Sequence, residues 1–344
     1  MSLHELYALS VAAAAAMSFA ATPVVRELAL RLDWMDAPSS AVKTHKVPTP
    51  CVGGIAIFLA FAATLLGLRL FTQFPTGTLR SLRAILIGAG LIFSLGLMDD
   101  TTKPHGVHYR LKFVVQALAA AGLIFYGIRI KFVSPDYLGI ALTLLWVVGI
   151  TNALNIVDIM DGLCASQAAI AALAFLMISL PSEELYVNFA SAALGGAALG
   201  FLPWNLSSNR KIFMGDSGSM VLGFVLAAVS MGTRYSDINN LGVYAPLFIL
   251  FVPMFDTLFV MFLRIRNNQS PFLGSKDHFA LRLEKIGHSR RAVVAMAAVS
   301  AMALGFCAWA VTKVSLAWAL CVYGVVGLWV ALVSRHLAKV EMHR

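Results

Sequence analysis

Long apolar runs alternate with short polar segments along almost the whole chain. A helix needs about 20 mostly apolar residues to cross the hydrocarbon core of a bilayer, and most of these runs approach that length. We therefore predict an all-α polytopic integral membrane protein, with residues 1–344 forming one membrane-embedded domain. The eleven predicted transmembrane helices are residues 5–25, 52–70, 84–98, 111–127, 137–156, 163–180, 186–203, 217–232, 243–263, 292–312 and 315–334.

The composition supports this fold class, because 59% of the 344 residues are hydrophobic and only 12% are charged, with a mean hydropathy of +0.81. Soluble domains carry about a quarter charged residues, and disordered chains combine low hydrophobicity with high net charge. Both classes are excluded. The four cysteines lack the spacing of a zinc site, so we expect small membrane-core residues instead of a disulfide framework. Residues 1–25 lack a basic n-region and are predicted to remain as a helix.

Positive charge is distributed unevenly between the two sides of the predicted bundle. Most of the 26 Lys and Arg residues fall in loops on one side, which should face the cytoplasm. This predicts an external N-terminus and a cytoplasmic C-terminus. The net charge of +9 then indicates contact with anionic lipids and phosphate-bearing substrates, and no nucleic acid is expected as a partner.

Two adjacent carboxylates, Asp99 and Asp100, end the third predicted span. An ionised carboxylate at membrane depth costs about 2.5–3.5 kcal/mol on insertion scales, and neighbouring carboxylates repel unless they share a cation or a proton. A pair of this kind can hold Mg²⁺ while the metal keeps waters or substrate phosphates. The alternative is a polar helix boundary with Thr101 and Thr102.

A polar residue recurs at every third position at the end of the fifth predicted span: Asn152, Asn155, Asp158 and Asp161. Successive members are 300° apart on an α-helix, so neighbours stack on one side. Two amides and two carboxylates are costly inside a membrane unless they line a wet cavity. The alternative is a hydrogen-bonding seam between helices. Gly162 permits a tight exit from this segment.

The sequence GDSGS at 215–219 overlaps the start of the eighth predicted span, residues 217–232. It lacks the frame of the serine-hydrolase elbow, because Asp216 occupies the position before Ser217 and the flanking glycines are not placed as that strand-to-helix turn requires. Backbone amides at the start of a helix suit phosphate, and Asp216 would be a further metal ligand there. The alternative is a capping turn with Asp216 or Ser217 as N-cap.

Further candidates lie in two polar loops. Residues 36–54 form a proline-constrained loop that presents Lys43 and His45, and Lys112 begins the fourth predicted span. Cationic groups at these positions can neutralise a phosphate; the alternative is ordinary positive charge on a cytoplasmic loop.

Asp256 lies inside the ninth predicted span, where an acidic residue is a functional candidate by default. In the loop that follows, Asp277, His278 and Arg282 are positioned to contact a soluble substrate. A solvated amphipathic helix over residues 276–287 is an equally good interpretation.

Four of these stretches occur in one order along the chain: D-x-P-x(4)-K-x-H-x(2)-P-x-P-x(2)-GG from Asp36, the aspartate pair, N-x-x-N-x-x-D-x-x-DGL from Asn152, and F-x-GDSGS from Phe213. Together they resemble the polyprenyl-phosphate N-acetylhexosamine-1-phosphate transferases, which are bacterial integral membrane enzymes. The resemblance extends from Asp36 to about Gly287.

This resemblance implies the transfer of a sugar 1-phosphate, expected to be GlcNAc-1-phosphate, from a UDP-N-acetylhexosamine to undecaprenyl phosphate, with release of UMP. It also implies Mg²⁺ as cofactor, for which Mn²⁺ can substitute, and a place in the bacterial cytoplasmic membrane at the start of cell-envelope glycan synthesis. Asp99 resembles the carboxylate that deprotonates or positions the lipid phosphate, and Asp100 and Asp216 resemble metal-site acids. A homodimer is an option that the sequence leaves open.

The resemblance also implies roles in substrate binding. Lys43, Asp161 and Phe213 match positions around the uracil, and His45 and Lys112 match residues of the polar cleft. The chain departs from the family pattern at Ile159, where a glycine is common, and in the last cytoplasmic loop.

That loop keeps only His278 of an H-x-H-H cluster, with Ala280 and Leu281 at the other two positions. The longer histidine-rich pattern of phospho-MurNAc-pentapeptide translocases is missing, which favours an N-acetylglucosamine donor. The translocase is nevertheless the nearest alternative. A transporter with a cation or proton path is an alternative of another class, although the acids crowd one side of the membrane instead of its midplane.

Overall fold

The computed structural model describes residues 2–38, 47–103, 105–182, 184–270 and 275–342. Apolar sequence makes most of these residues helical. The α-helices are α1 (Leu3–Arg31), α2 (Gly54–Phe71), α3 (Thr76–Thr101), α4 (Tyr109–Phe125), α5 (Asp136–Val157), α6 (Leu163–Ser179), α7 (Leu185–Asn205), α8 (Gly215–Ser230), α9 (Ala245–Ile249), α10 (Phe251–Arg266), α11 (Phe279–Lys285), α12 (Arg290–Val311) and α13 (Leu316–Ala338). Short 3₁₀ turns occupy Leu180–Ser182 and Asn240–Tyr244.

The helices confirm a polytopic α-helical membrane protein. Within the described ranges, seven helices are long and apolar enough to cross a membrane, and an eighth joins them if a bent pair is counted as one span. Helices occupy all eleven of the predicted spans, but α6 and α8 are short apolar helices of 17 and 16 residues. The number eleven and the orientation of the termini therefore stay predictions.

The ninth predicted span is broken instead of continuous. The segments Asn240–Ile249 and Phe251–Arg266 meet at an angle of 74°. Pro253 explains the break, because it has no N–H to donate to the carbonyl of Ile249, four residues earlier, and its ring crowds that carbonyl. Residues 243–263, predicted as one span, are therefore not one continuous helix.

Helices α7 and α8 form the centre of the bundle, whereas α13 lies at its edge. From Ser217 to Ser230 every residue of α8 is buried. In α13 only Ala319 and Leu337 are buried, and large apolar side chains such as Trp318 are exposed. This arrangement suits a helix that faces lipid tails, and it leaves the inner helices to carry the polar groups.

The end of the bundle that carries Asp99, Asp100 and Asp216 is held by backbone contacts around the start of α8. A two-stranded antiparallel ribbon pairs β1 (Met35–Asp36) with β2 (Thr49–Pro50). The chain after β2 then binds the segment before α8, because the amides of Gly53 and Gly54 donate to the carbonyls of Phe213 and Met214. Gly215 has φ +73°, a left-handed conformation that favours glycine. A Cβ there would also overlap the carboxylate of Asp100.

Candidate active site

Asp100 joins the end of α3 to the start of α8. Its Oδ1 accepts hydrogen bonds from the amide of Asp216 at 2.9 Å and from Nζ of Lys103 at 3.0 Å. Its Oδ2 accepts from the amide of Ser217 at 2.9 Å and from the Ser217 hydroxyl at 2.7 Å. A carboxylate offers about four acceptor positions, so these donors saturate Asp100, which is 1% exposed.

This contact corrects the expectation that amides at the start of α8 bind a phosphate. The amides of Asp216 and Ser217 already donate to Asp100. A carboxylate of the same chain therefore takes the place at the helix N-terminus where an anion is favoured. The helix begins at Gly215, two residues before the predicted start, with Met214 as N-cap.

Lys112 links the other two carboxylates. Its Nζ lies 2.7 Å from Oδ1 of Asp99 and 2.5 Å from Oδ2 of Asp216. Oδ1 of Asp99 also accepts the amide of Val107 at 2.7 Å. One oxygen from each of Asp99, Asp100 and Asp216 lies within 4.8 Å of the others, so these three side chains form a candidate site for a divalent cation.

Burial and neighbouring charges shift the pKa values of groups in and beside this cluster. Burial lowers the pKa of Lys103, but the negative charges of Asp100 and Asp216 outweigh burial and raise it above its ordinary value. Lys103 therefore stays protonated. Burial, helped by the charge of Asp216, raises the pKa of Asp158 to about 7, although Lys103 acts in the opposite direction.

The polar series at the end of α5 lies beside the carboxylates. Nδ2 of Asn155 donates to the hydroxyl of Ser219 at 3.0 Å, and Nδ2 of Asn152 donates to Oε1 of Gln116 at 2.6 Å. The helix ends at Val157, so Asp158 and Asp161 lie beyond it and not on a continuing helical face. All four residues of the predicted series nevertheless line the same cavity: Asn152, Asn155, Asp158 and Asp161.

Asp161 forms a second charged contact at the edge of the cavity. Its Oδ2 lies 2.6 Å from Nζ of Lys211, and that ammonium lies 4.7 Å from the centroid of the Phe213 ring. All three side chains line the cavity. An aromatic ring can stack on a planar nucleobase, and a carboxylate and an ammonium group beside the ring can bind the polar edge of that nucleobase.

Asp256 holds His278 in place. Its Oδ2 lies 2.7 Å from Nδ1 of His278, and its Oδ1 accepts the amide of Phe279 at 2.9 Å. Asp256 is fully buried, whereas His278 lines the cavity. The structure therefore brings His278 to the site and places Asp256 behind it.

Arg282 is not brought to the cavity. Its guanidinium pairs with Asp277 at 2.7 Å and donates to the carbonyls of Leu337 and Val340 near the end of α13. Helix α11 is shorter than the predicted segment 276–287, and its first turn is buried instead of solvated. Arg282 thus ties this turn to the C-terminal helix.

One cavity of about 1700 Å³ connects these groups with apolar helix surfaces. Asp216, Lys103 and Lys112 line it together with side chains of α5 and α10. Leu145 of α5 and Leu258 of α10 both line it and are 69% and 61% exposed, so the wall of the cavity reaches the outer surface of the bundle at these helices. A helix of 22 residues such as α5 is about 33 Å long, which is close to the thickness of a bilayer core.

Lys43 and His45 lie outside the described residues. Lys103 and Lys211 are not among the predicted site residues, although both contact a predicted acid. For Lys103 a signal exists, because it follows Asp100 by three residues and this spacing places two side chains on one face of a helical turn.

The sequence of this chain is also similar to those of known proteins. Residues 82–234 match the model of glycosyl transferase family 4. A probable undecaprenyl-phosphate N-acetylglucosaminyl 1-phosphate transferase of Bacillus subtilis is 33% identical over 78% of this chain and 75% of its own length. A decaprenyl-phosphate N-acetylglucosaminephosphotransferase of Mycobacterium tuberculosis is 36% identical over 85% and 79%. A phospho-N-acetylmuramoyl-pentapeptide-transferase of Desulforudis audaxviator is 33% identical over 65% and 76%.

The chain therefore belongs to glycosyl transferase family 4, the polyprenyl-phosphate N-acetylhexosamine-1-phosphate transferases that its motifs resemble. The family predicted from the sequence is confirmed.

Proposed function

We propose that this protein transfers N-acetylglucosamine 1-phosphate from UDP-N-acetylglucosamine to undecaprenyl phosphate and releases UMP. The observation that carries the proposal is the cavity of about 1700 Å³, which is lined both by carboxylate and ammonium groups of the cluster and by apolar side chains of α5 and α10. The charged groups suit two phosphate-bearing reactants, and the apolar side chains suit an isoprenoid chain. Relatives that share most of this chain's length carry names for the same transfer.

Mg²⁺ is the proposed cofactor, and Mn²⁺ is the proposed substitute. Three carboxylates with oxygens within 4.8 Å of one another fit a cation that prefers oxygen ligands. Asp216 lines the cavity and would be one ligand, and Asp99 faces the same lysine and would be another. Asp100, a ligand in the sequence-based prediction, joins them only if Lys103 leaves Oδ1. When bound, the metal would neutralise charge on the diphosphate and act as a Lewis acid.

The reaction is a displacement at the phosphorus that carries the sugar. An oxygen of the lipid phosphate forms the new P–O bond, and the bond from that phosphorus to the bridging oxygen of UMP breaks. The attacking phosphate is already anionic, so Asp99 serves as a positioning carboxylate more readily than as a strong base. Lys112 and Lys103 supply positive charge beside the phosphates, which lowers the cost of bringing anions together.

We also propose that all eleven spans predicted from the sequence cross the membrane, with the N-terminus outside and the C-terminus in the cytoplasm. The candidate site then lies at the cytoplasmic face of the bacterial inner membrane, where nucleotide sugars are made. The concentration of Lys and Arg in the loops of this side supports the orientation.

A test of the function uses purified protein, undecaprenyl phosphate, Mg²⁺ and radiolabelled donors. We expect a lipid-extractable product with UDP-N-acetylglucosamine and release of UMP in equal amount. Product formed only from UDP-MurNAc-pentapeptide would instead make the protein the peptidoglycan translocase of the family. If the lipid-linked product forms at an unchanged rate in excess EDTA, the requirement for a divalent metal is contradicted.

Lys211→Met should weaken donor binding. We expect an increase of about tenfold in KM for the UDP-sugar with kcat nearly unchanged, because the lysine contacts Asp161 and the Phe213 ring at the edge of the cavity and acts mainly in binding. Steady-state kinetics at saturating acceptor measure the effect. Arg210→Met removes an adjacent positive charge and serves as the matched control. A KM equal to that of the wild type would reject this role.

Asp256→Asn should misplace His278. The carboxylate fixes Nδ1 of His278 and so leaves Nε2 for the cavity; an amide no longer holds the ring in this orientation. We expect kcat/KM to fall about tenfold or more, to a value similar to that of His278→Ala. The double variant should be no worse than either single variant. Additive losses in the double variant would show that the two residues act separately.

A further inference from the structure

The ammonium group of Lys112 occupies the space between two of the three clustered carboxylates. It contacts Asp99 at 2.7 Å and Asp216 at 2.5 Å, and its side chain is 20% exposed to the cavity. Each of the two carboxylates therefore presents one oxygen to the same ammonium group. A divalent cation bound by the same two oxygens would need the place that the ammonium holds.

The charge of the cluster reinforces this conflict. Asp99, Asp100 and Asp216 contribute three negative charges, and Lys103 and Lys112 contribute two positive charges through direct ion pairs. The cluster thus carries a net charge of about −1 when both lysines are in place. Because affinity for a divalent cation rises with the number of ligand charges, this arrangement binds such a cation weakly.

The two lysines differ in how easily they can leave. Lys103 follows Asp100 closely in the chain and is held to it by the turn after α3. Lys112 lies on a different helix, α4, and reaches the carboxylates only through its flexible side chain. The cavity that it lines offers space for a phosphate to which it can turn.

We propose that Lys112 and the divalent cation exclude each other at Asp99 and Asp216, so that the cation binds tightly only when a phosphate-bearing substrate draws Lys112 away. This inference rests on the proposed metal cofactor. A unit charge and a divalent ion about 4 Å apart repel strongly even in a polar site, and the phosphate relieves that repulsion. Cation and nucleotide then favour each other's binding by the same factor.

The test measures Mn²⁺ binding to the purified protein without substrate, by the EPR signal of free Mn²⁺. We expect Lys112→Met to tighten Mn²⁺ binding about tenfold or more, because one competing charge is removed. Lys112→Arg keeps the charge and should bind as weakly as the wild type. Lys313→Met, a matched change at an exposed lysine remote from the carboxylates, should leave the affinity unchanged. If Lys112→Met binds Mn²⁺ no more tightly than the wild type, the proposal is overturned.

A second measurement uses the wild type and does not depend on folding of a variant. Mn²⁺ should increase the rate at which an amine-acetylating reagent modifies Lys112, followed by mass spectrometry, and should leave the rate at Lys313 unchanged. An unchanged rate at Lys112 with Mn²⁺ bound would overturn the exclusion and leave the metal site standing. Failure to bind Mn²⁺ in every variant, with and without UDP-N-acetylglucosamine, would instead remove the metal from the proposed function and the exclusion with it.

Discussion

Asp216→Asn is expected to reduce formation of the lipid-linked product at least about 10³-fold. Asp216 is the carboxylate of the cluster that lines the cavity, and it also fixes the ammonium of Lys112. An amide at this position is a poor ligand for a hard cation and leaves Lys112 paired with Asp99 alone. The measurement is transfer of radiolabelled sugar to undecaprenyl phosphate in detergent.

A matched variant separates this effect from a general loss of charge. Asp136→Asn changes an aspartate that pairs with Arg129 at the start of α5, where its side chain is 73% exposed. We expect this variant to retain wild-type activity. Near-normal turnover by Asp216→Asn, with the melting temperature of the wild type, would contradict both the metal assignment and the role of Asp216 in the site.

Asp100→Asn is expected to abolish the product and also to destabilise the fold. Two amides, one hydroxyl and one ammonium donate to this buried carboxylate. An asparagine turns an NH₂ group toward some of these donors and removes the charge that holds them. Removing one partner from a buried charged network costs about 3–5 kcal/mol, so the melting temperature should fall by several degrees.

The comparison with Asp216→Asn makes this prediction specific. Both variants should lose activity, but only Asp100→Asn should lose much stability, since Asp216 accepts from the flexible Lys112 side chain and Asp100 joins α3 to α8. Thermal unfolding followed by tryptophan fluorescence measures the difference. Equal melting temperatures for Asp100→Asn and the wild type would show that the contact between α3 and α8 does not depend on this carboxylate.

Local pattern was sufficient for some of these features. The three-residue spacing from Asn152 to Asp161 predicted either a polar cavity or a hydrogen-bonding seam between helices, and the structure shows features of both: all four residues line one cavity, and Asn152 and Asn155 bond to neighbouring helices, although α5 ends before Asp158. The aspartate pair and Asp216 were chosen because carboxylates at apolar helix ends need a cation, and the structure brings them within 4.8 Å of one another. Gly162 has the positive φ of +80° that a tight exit requires.

Other features depend on residues that are distant in sequence, and pattern does not show them. Lys112 and Asp216 are 104 positions apart, so nothing in the sequence near either residue indicates their contact. Arg282 looked like a substrate contact because it is a cation in a polar loop, but its partners lie at the end of α13. Asp256 is a candidate for substrate binding by sequence because it is an acid in an apolar helix, but it contacts a histidine 22 residues later.

The break between α9 and α10 has a consequence for how the lipid reaches the enzyme. The bend of 74° lies at the start of α10, and Leu258 of this helix lines the cavity and is 61% exposed. In the proposed reaction, the isoprenoid acceptor enters the cavity from the membrane beside α10, and the glycolipid product leaves by the same route. The nucleotide donor and product enter and leave from the aqueous phase. Binding of the acceptor should then depend on its mole fraction in the membrane and not on its bulk concentration.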